Sequence, residues 1–373
     1  MDRLLAYGKP FRGICVPPDM ANFVSQPTAI KKLDYPQDPT ASSRKHDHID
    51  LAFRSQVSGG ELDQRFYYEP LLAAHPAPGS LPVTDFLGKQ LRAPLWVSSM
   101  TGGTEMALTI NRNLARACAE FGMGMGLGSC RSLLYETKRL EDFNMRPIIG
   151  SDQPLYGNLG LAQVEQLIRD QELYRIDQLV EVLDIDGLIV HVNPLQEWLQ
   201  PEGDRFLEHP IATLESLLAH YPTLPIIVKE VGQGMGPASL RALFALPLAA
   251  IDTAASGGTN FSKLELLRSN PASQEAYMPI ARIGHLAVEM TDFVNEIVAD
   301  PMADIACRQL IISGGLKSFL DGYYLTERVQ LPAIYGMASA FLKYAQRDYD
   351  TLADFVSGQI RGLELAHAYL SIR

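Results

Sequence analysis

A repeat of short apolar runs along residues 95–336 constrains the fold more than any other feature of this chain. Each run ends in a small or polar residue and is followed by a stretch with helical spacing. The runs predict eight strands, at residues 95–98, 124–128, 155–158, 187–192, 226–229, 249–252, 310–312 and 333–336. Helices are predicted between them, at residues 107–121, 161–171, 214–220, 238–246 and 316–326. This alternation predicts an α/β fold, a closed (β/α)₈ TIM barrel, with a doubly wound open sheet as the alternative.

A chain of 373 residues accommodates one such barrel with additions. We predict a single domain in which residues 1–92 form an N-terminal arm and cap, residues 93–345 the barrel and residues 346–373 a C-terminal helix. The stretch between Asp252 and Leu310 is too long for one loop and one helix. It predicts an insertion after the sixth strand, in a place where a partly mobile lid could form.

The charge balance restricts the partners. Lys and Arg number 32 against 43 Asp and Glu, a net charge of -11, which disfavours nucleic acid and acidic membranes because both need a positive surface. We find no apolar run of membrane-spanning length and no signal-peptide core in residues 1–20, and we therefore expect a cytoplasmic protein. The 4 cysteines have no CxxC spacing and are expected to be reduced, mainly buried thiols.

Polar residues follow many of the predicted strands. In a barrel the reactive side chains collect at the C-terminal ends of the strands, whichever strands they come from. The residues at these ends therefore predict one convergent site; they include Met100, Thr101, Ser129, Asn158, His191, Asn193, Lys229, Asp252 and Ser313.

Glycine-rich turns follow the seventh and eighth strands. Ser313-Gly314-Gly315-Leu316 is predicted to open a helix, which would bring backbone N–H groups and a helix N-terminus close to a phosphate. Tyr335-Gly336-Met337-Ala338 follows the next strand, and the loops after these two strands form the usual phosphate site of a barrel. Either turn alone is equally well explained as a tight connection. Together they favour a phosphate, over which Thr259 of the Gly-rich segment 254–260 could close.

Lys229 ends the apolar strand 226–229, where a buried cation must be matched by a negative charge. It could stabilise charge on a reduced flavin or form a Schiff base with a carbonyl substrate. The structural alternative is a salt bridge to Glu230 or to another acid inside the barrel.

The stretch 191–204 concentrates His191, Asn193, Gln196 and Glu197 at one strand end. These residues supply hydrogen-bond donors for a diphosphate and a carboxylate for a hard divalent ion. Arg44-Lys45 places two adjacent cations in the N-terminal arm; they are either solvated surface charges or a clamp on a substrate diphosphate.

These motifs, in this order, resemble those of type II isopentenyl-diphosphate isomerase. The resemblance rests on Arg44-Lys45-x-x-His48-Ile49, Met100-Thr101-Gly102-Gly103, Gly126-Leu127-Gly128-Ser129-x-Arg131, Gly157-Asn158-Leu159-Gly160, the stretch 191–204, Val228-Lys229-Glu230-Val231-Gly232 and Ser313-Gly314-Gly315. The stretch 191–203 is the specific part, since other FMN-dependent barrels share the Gly-rich pieces. The segment 252–261 departs from the family pattern, which usually has a Gly within the Ala254-Ala255-Ser256 region and Ser-Trp in place of Asn260-Phe261.

The resemblance implies the interconversion of isopentenyl and dimethylallyl diphosphate by a 1,3-proton shift, with reduced FMN as acid and base, Mg²⁺, and NAD(P)H as reductant. A small-molecule diphosphate would be the substrate, and a homo-oligomer is expected. Implied cofactor-binding residues are Met100, Thr101, Ser129, Asn158, Lys229, Thr259, Gly314, Gly315, Met337 and Ala338. Arg44, Lys45, His191, Asn193 and Gln196 would bind the diphosphate and Glu197 the Mg²⁺, with Lys229, His191 and Gln196 closest to the chemistry.

Two other functions remain open at this point. An FMN-dependent 2-hydroxy-acid oxidase or dehydrogenase would use a strand-end His as base and an Arg to bind the substrate carboxylate. A non-catalytic flavin- or phosphate-binding barrel would tolerate replacement of Glu197 and of Arg44-Lys45.

Overall fold

The computed structural model describes residues 40–99 and 106–373. By its internal contacts the chain divides into two units, Met1–Leu62 and Asp63–Arg373. The described part of the first unit contains helix α1 (Ala41–Leu51) and a 3₁₀ turn at Gly59–Glu61. Helix α1 lies in the predicted N-terminal arm, where we predicted no helix. The sequence conceals it because the side chains of residues 43–51 are all exposed, which leaves no apolar stripe.

The second unit contains twelve strands and fourteen helices in its described part. The strands are β1 (Phe66–Tyr68), β2 (Thr84–Phe86), β3 (Lys89–Leu91), β4 (Leu95–Val97), β5 (Gly124–Gly126), β6 (Leu155–Gly160), β7 (Gly187–His191), β8 (Ile226–Lys229), β9 (Ala250–Asp252), β10 (Leu310–Ser313), β11 (Ala333–Met337) and β12 (Leu370–Ile372). The helices are α2 (Ala107–Phe121), α3 (Leu140–Phe143), α4 (Arg146–Ile149), α5 (Leu161–Arg169), α6 (Tyr174–Leu183), α7 (Pro194–Leu199), α8 (Pro210–His220), α9 (Pro237–Phe244), α10 (Phe261–Arg268), α11 (Pro271–Tyr277), α12 (Ala287–Ala299), α13 (Phe319–Arg328), α14 (Ser339–Ala345) and α15 (Tyr349–Tyr369).

Strands β4 to β11 form a closed barrel in chain order, and every neighbouring pair is parallel. This confirms the predicted (β/α)₈ barrel and excludes the open sheet. All eight predicted strands are present, with ends that differ by at most two residues. Outside the barrel, β1 pairs with β12 and β2 pairs with β3, both antiparallel.

The barrel strands separate two apolar cores. On β7, Leu188 and Val190 belong to the core shared with the helices, whereas Ile189 belongs to a second cluster with Ile227 and Ile311. Because side chains alternate along a strand, this second cluster is the filling of the barrel. The hairpin β2–β3 adds Phe86 and Leu91 to it. The next inward position on each strand then lies at the C-terminal mouth.

Helix α2 illustrates how the sequence specifies the outer layer. Its buried residues recur at helical spacing, including Ile110, Leu114 and Cys118. The helix ends at Gly122, whose φ of 73° is left-handed and whose N–H donates to the carbonyl of Cys118. The predicted bounds of this helix are confirmed.

Other helix bounds differ from the prediction for local reasons. Helix α8 starts at Pro210 rather than at 214, since Pro is favoured in the first turn. Helix α13 starts at Phe319 rather than at 316, because the capping box of Ser318 and Asp321 fixes its beginning. The prediction that Ser313-Gly314-Gly315-Leu316 opens directly into a helix was therefore wrong.

The predicted insertion after the sixth barrel strand is present. It contains α10, α11 and a 3₁₀ turn at Ile280–Arg282, and the barrel helix α12 follows it. Gln233, in the loop after β8, connects to this insertion: its side chain donates to the carbonyl of Ile283 at 2.6 Å and accepts from Ser262 Oγ at 2.6 Å.

Three cysteines, Cys118, Cys130 and Cys307, are free and buried, as expected; Cys15 lies outside the described residues. Among the residues that the structure describes, no helix is long and apolar enough to cross a membrane.

Candidate active site

The inward positions at the barrel mouth carry the polar side chains predicted at the strand ends. His191 pairs in register with Lys229 on β8, and Lys229 pairs with Asp252 on β9. Residues that pair directly on parallel strands face the same side of a sheet, so these three side chains form one row inside the barrel. The convergence of the strand ends is therefore a consequence of barrel closure.

The imidazole of His191 is fixed by Asn158 on β6. Asn158 Nδ2 donates to the carbonyl of Leu127 at 3.1 Å, so its Oδ1 is the atom that accepts from His191 Nδ1, at 2.8 Å. The proton of the neutral ring is then on Nδ1, and Nε2 is an acceptor. Removal from water, together with the positive charge of Lys229, lowers the pKa of His191 to about 3.

Lys229 is only 8 % exposed, and its Nζ donates to the backbone carbonyl of Glu230 at 2.7 Å. The Glu230 carboxylate itself accepts the N–H groups of Gly232, Gln233 and Gly234. Desolvation raises the pKa of Glu230, and its hydrogen bonds and Lys229 oppose that rise. Lys229 thus donates to a carbonyl of its own loop and does not form the salt bridge to Glu230 that the structural alternative required, and its side chain lines the cavity.

A cavity of about 310 Å³ opens above this row on the side of β9 to β11. Its wall includes the predicted phosphate-binding positions Thr259, Gly314, Gly315, Met337 and Ala338, together with Lys229. The structure therefore brings these residues together, as the sequence predicts.

Only glycine fits at positions 314 and 315 without strain. Their φ angles are 90° and 75°, and a Cβ on Gly314 would lie 2.1 Å from the carbonyl oxygen of Ala255. The turn therefore presents bare backbone to the cavity. Since α13 begins only at Phe319, this backbone, and not the first turn of a helix, lines the cavity here.

A second cavity, of about 140 Å³, adjoins the first on the side of β5 to β8. Its wall includes Ser129, Asn158, His191, Gln196 and Lys229. Lys229, Ser99, Val231 and Phe261 line both cavities, which therefore form one continuous cleft. Ser98 and Ser99 have buried hydroxyls without a hydrogen-bond partner among the described residues.

Helix α7 carries the remaining residues of the predicted site. Asn193 Nδ2 donates to Gln196 Oε1 and to Glu197 Oε1, each at 3.0 Å, while Glu197 Oε2 accepts the backbone N–H of Asp204 at 2.8 Å. Glu197 is 8 % exposed, and Asn193 Oδ1 is buried without a hydrogen-bond partner in the described part. The described residues contain no group of three or more His, Cys, Asp or Glu that could hold a metal alone.

Sequence reasoning missed two contributors. Glu265 of the insertion is 4 % exposed, accepts from Gln196 Nε2 at 3.5 Å and pairs with Arg268 at 2.7 Å. It orients the Gln196 amide, and its only sequence signal is an acid within a short helix. Arg131 ends the motif that begins at Gly126, but we predicted no role for it. Its guanidinium pairs with Asp204 at 2.9 Å, and the backbone N–H of Asp204 donates to Glu197.

Four predicted residues are not placed at this cleft. Arg44 and Lys45 lie on α1 of the first unit, where their side chains are exposed. Met100 and Thr101 lie outside the described residues.

Solved structures with the same architecture include flavoproteins. A mutant flavocytochrome b2 with pyruvate bound has a TM-score of 0.54 at 13 % identity and covers 86 % of this chain and 78 % of its own. A mandelate oxidase mutant with the C4a-OH-FMN adduct has a TM-score of 0.51 at 13 % identity and covers 83 % and 88 %. At such identity the likeness shows the barrel fold alone.

Curated relatives are considerably more similar in sequence, although no family model matches the chain. The isopentenyl-diphosphate delta-isomerase of Rickettsia felis is 34 % identical over 329 residues, covering 86 % of this chain and 90 % of the relative. That of Rickettsia rickettsii (strain Sheila Smith) is 34 % identical over 330 residues and covers 86 % and 91 %, respectively. With 34 % identity over 86 % of its length, the chain belongs to the isopentenyl-diphosphate delta-isomerase family.

Proposed function

We propose that this enzyme is the FMN-dependent, type II form, which interconverts isopentenyl and dimethylallyl diphosphate by a 1,3-proton shift. The observation that carries the proposal is the continuous cleft, with a glycine-lined pocket at one end and Lys229, His191 and Asn158 at the other. A flavin mononucleotide has the same division into a phosphate and a flat polar ring. The cleft is also close to the barrel mouth, where such ligands bind.

The residues present fit FMN. The bare backbone of Gly314 and Gly315, with Ala338 and Thr259, would hold the phosphate. The unpartnered hydroxyls of Ser98 and Ser99 provide hydrogen-bonding capacity at the cavity wall. Lys229, Ser129 and Asn158 would line the ring, and we assign Met100 and Thr101 to it on the family pattern.

The residues of α7 fit one Mg²⁺ shared with a diphosphate. Mg²⁺ in such sites takes one or two carboxylates together with substrate phosphates and water. Glu197 offers the carboxylate, and Asn193 Oδ1 beside it is a buried acceptor that lacks a partner. We propose that Glu197 binds the metal, and that Asn193, Gln196 and His191 hold the diphosphate, together with Arg44 and Lys45 on the family pattern.

Reduced FMN would supply the acid and base for the proton shift, because no ordinary side chain in isolation is a strong enough acid to protonate an unactivated alkene. The protein residues then position the substrate and balance charge. Lys229 holds a positive charge at the ring, which favours a negatively charged reduced flavin. Gln196, fixed between Asn193 and Glu265, and His191, fixed by Asn158, keep their hydrogen-bonding groups directed at the cleft.

The charge of the diphosphate acts on His191. The free imidazole offers only an acceptor at Nε2, whereas a phosphate oxygen needs a donor. A bound anion favours the protonated ring, which then donates from both nitrogens. The relatives named isopentenyl-diphosphate delta-isomerase favour the isomerase over the hydroxy-acid oxidase alternative.

The proposal includes NAD(P)H as the reductant that keeps FMN reduced, and a homo-oligomeric assembly in the cytoplasm. An anaerobic assay tests the activity: purified protein, FMN, a reductant, Mg²⁺ and isopentenyl diphosphate, with dimethylallyl diphosphate detected. Product that requires both reduced flavin and metal supports the proposal. Bound FMN with no product would contradict it.

A further inference from the structure

Asp252 is a buried acid beside the ring end of the cleft to which the proposed function assigns no role. It ends β9, is 1 % exposed, and pairs in register with Lys229. Because paired residues on parallel strands face the same side, its carboxylate lies in the same row inside the barrel as the Lys229 ammonium.

One oxygen of Asp252 is connected to the wall of the phosphate pocket. Its Oδ1 accepts a short hydrogen bond from Ser313 Oγ and a longer one, 3.3 Å, from the N–H of Ala254. Ser313 Oγ in turn accepts from the same N–H at 3.1 Å. Ala254 has a φ of 39°, a left-handed conformation that a non-glycine residue adopts only when its surroundings hold it. Ala254 and Ser313 both line the glycine-rich cavity.

The other oxygen, Oδ2, is buried without a hydrogen-bond partner among the described residues. A buried carboxylate in that state needs a counter-charge. The charged and titratable groups that face Lys229 are His191 on β7, Glu230 in its own loop and Asp252 on β9. His191 is neutral, and Glu230 is already satisfied by three backbone N–H groups. Asp252 is therefore the remaining acid that faces Lys229. No direct ion pair joins the two side chains, and the positive charge of Lys229 opposes the rise in the pKa of Asp252 that burial causes.

We propose that Asp252 is a positioning residue: its carboxylate attracts the Lys229 ammonium across the neighbouring strand at the ring end of the cleft and, through Ser313 and Ala254, fixes the backbone of the phosphate pocket. This inference rests on the proposed function, since it assumes that FMN occupies the cleft. It predicts that ring contact and phosphate contact are energetically coupled through one side chain.

A double-mutant cycle on FMN affinity tests the coupling. Asp252→Asn keeps the shape and removes the charge, and it is compared in the native background and in a Lys229→Gln background. We expect the Kd for FMN to rise at least about fivefold in the native background and to change much less in the second. The midpoint potential of bound FMN should shift with Asp252→Asn, a response that a merely structural role would not produce.

Two further variants serve as controls for the effect of Asp252→Asn on FMN binding. Asp142→Asn changes another buried Asp, on α3, whose Oδ2 makes no hydrogen bond and lies 3.7 Å from Arg139 Nη1, and it should alter neither the affinity nor the potential. Ser313→Ala keeps the Asp252 charge and should weaken FMN binding, again less in the Lys229→Gln background. If Asp252→Asn does not fold, the comparison of Ser313→Ala in the native and the Lys229→Gln backgrounds provides the test instead.

Equal effects of Asp252→Asn, or of Ser313→Ala, in both backgrounds would overturn the inference and leave the proposed function standing. A native chain that binds no FMN would overturn both. Turnover is not part of these measurements, so an inactive variant does not obscure them.

Discussion

His191 and Lys229 are directly paired residues on the adjacent strands β7 and β8, and the charge of the lysine helps to keep the imidazole neutral. The geometry that gathers the site residues therefore also sets their protonation. Two cations at this spacing would repel each other, so one of the two must be neutral until an anion binds.

Replacing His191 should change how stability depends on pH. The folded pKa of about 3 lies below the ordinary value of 6.5, so between these values the unfolded chain binds more protons and the native protein loses stability as the pH falls. In His191→Gln this loss disappears. We expect the free energy of unfolding of the native protein, relative to that of the variant, to rise with pH by up to about 1.4 kcal/mol per unit across this window.

Denaturant titrations at several pH values between 4.5 and 7 measure this difference. His75→Gln, a change of an exposed histidine, is the control and should leave the pH dependence as it is. A difference between native protein and His191→Gln that stays constant with pH would show that the imidazole titrates normally.

Lys229→Ala should abolish turnover while part of the FMN binding remains. The backbone of Gly314 and Gly315 is still present to hold the phosphate, whereas the positive charge at the ring is lost. Flavin absorbance after gel filtration measures binding, and product formation measures turnover. Lys138→Ala, on the exposed surface, should affect neither. Retained turnover in Lys229→Ala would remove this lysine from the mechanism.

Much of this site can be predicted from the sequence, because residues at the C-terminal ends of barrel strands lie close together whatever the details of the loops. The apolar run at residues 226–229 correctly predicts a strand and places Lys229 at its C-terminal end. Long-range pairs do not follow: the contact of Gln196 with Glu265 needs the placement of α10, and α10 lies in an insertion without barrel regularity. The start of α13 was missed because the Ser318–Asp321 capping box outweighed the glycine turn before it.

Glu197→Gln should weaken the use of Mg²⁺ without changing the binding of FMN. The amide keeps the size of the side chain but loses the charge that Mg²⁺ requires, so we expect turnover at low Mg²⁺ to fall by about tenfold or more, with FMN affinity unchanged. Titrating Mg²⁺ into the assay measures this. Glu208→Gln, an exposed neighbour, is the control. Unaltered Mg²⁺ dependence in Glu197→Gln would place the metal elsewhere.

Gly314→Ala should prevent FMN from binding, since its Cβ meets backbone at 2.1 Å in a left-handed conformation. Gly358→Ala on α15 is the matched change: nothing lies within 4 Å of its Cβ, and helix propensity should add about 0.5–1 kcal/mol of stability. Flavin content and thermal unfolding measure both. Normal FMN content in Gly314→Ala would mean that this turn is not the phosphate site.

The proposed reaction is an isomerisation that needs reduced flavin but has no net redox change. The most direct test is the ratio of dimethylallyl diphosphate formed to NADPH consumed, measured anaerobically with FMN and Mg²⁺. We predict that many product molecules form per NADPH oxidised, because the reductant only primes the flavin. One NADPH consumed per turnover, or product formation that is equally fast with oxidised flavin, would contradict the account.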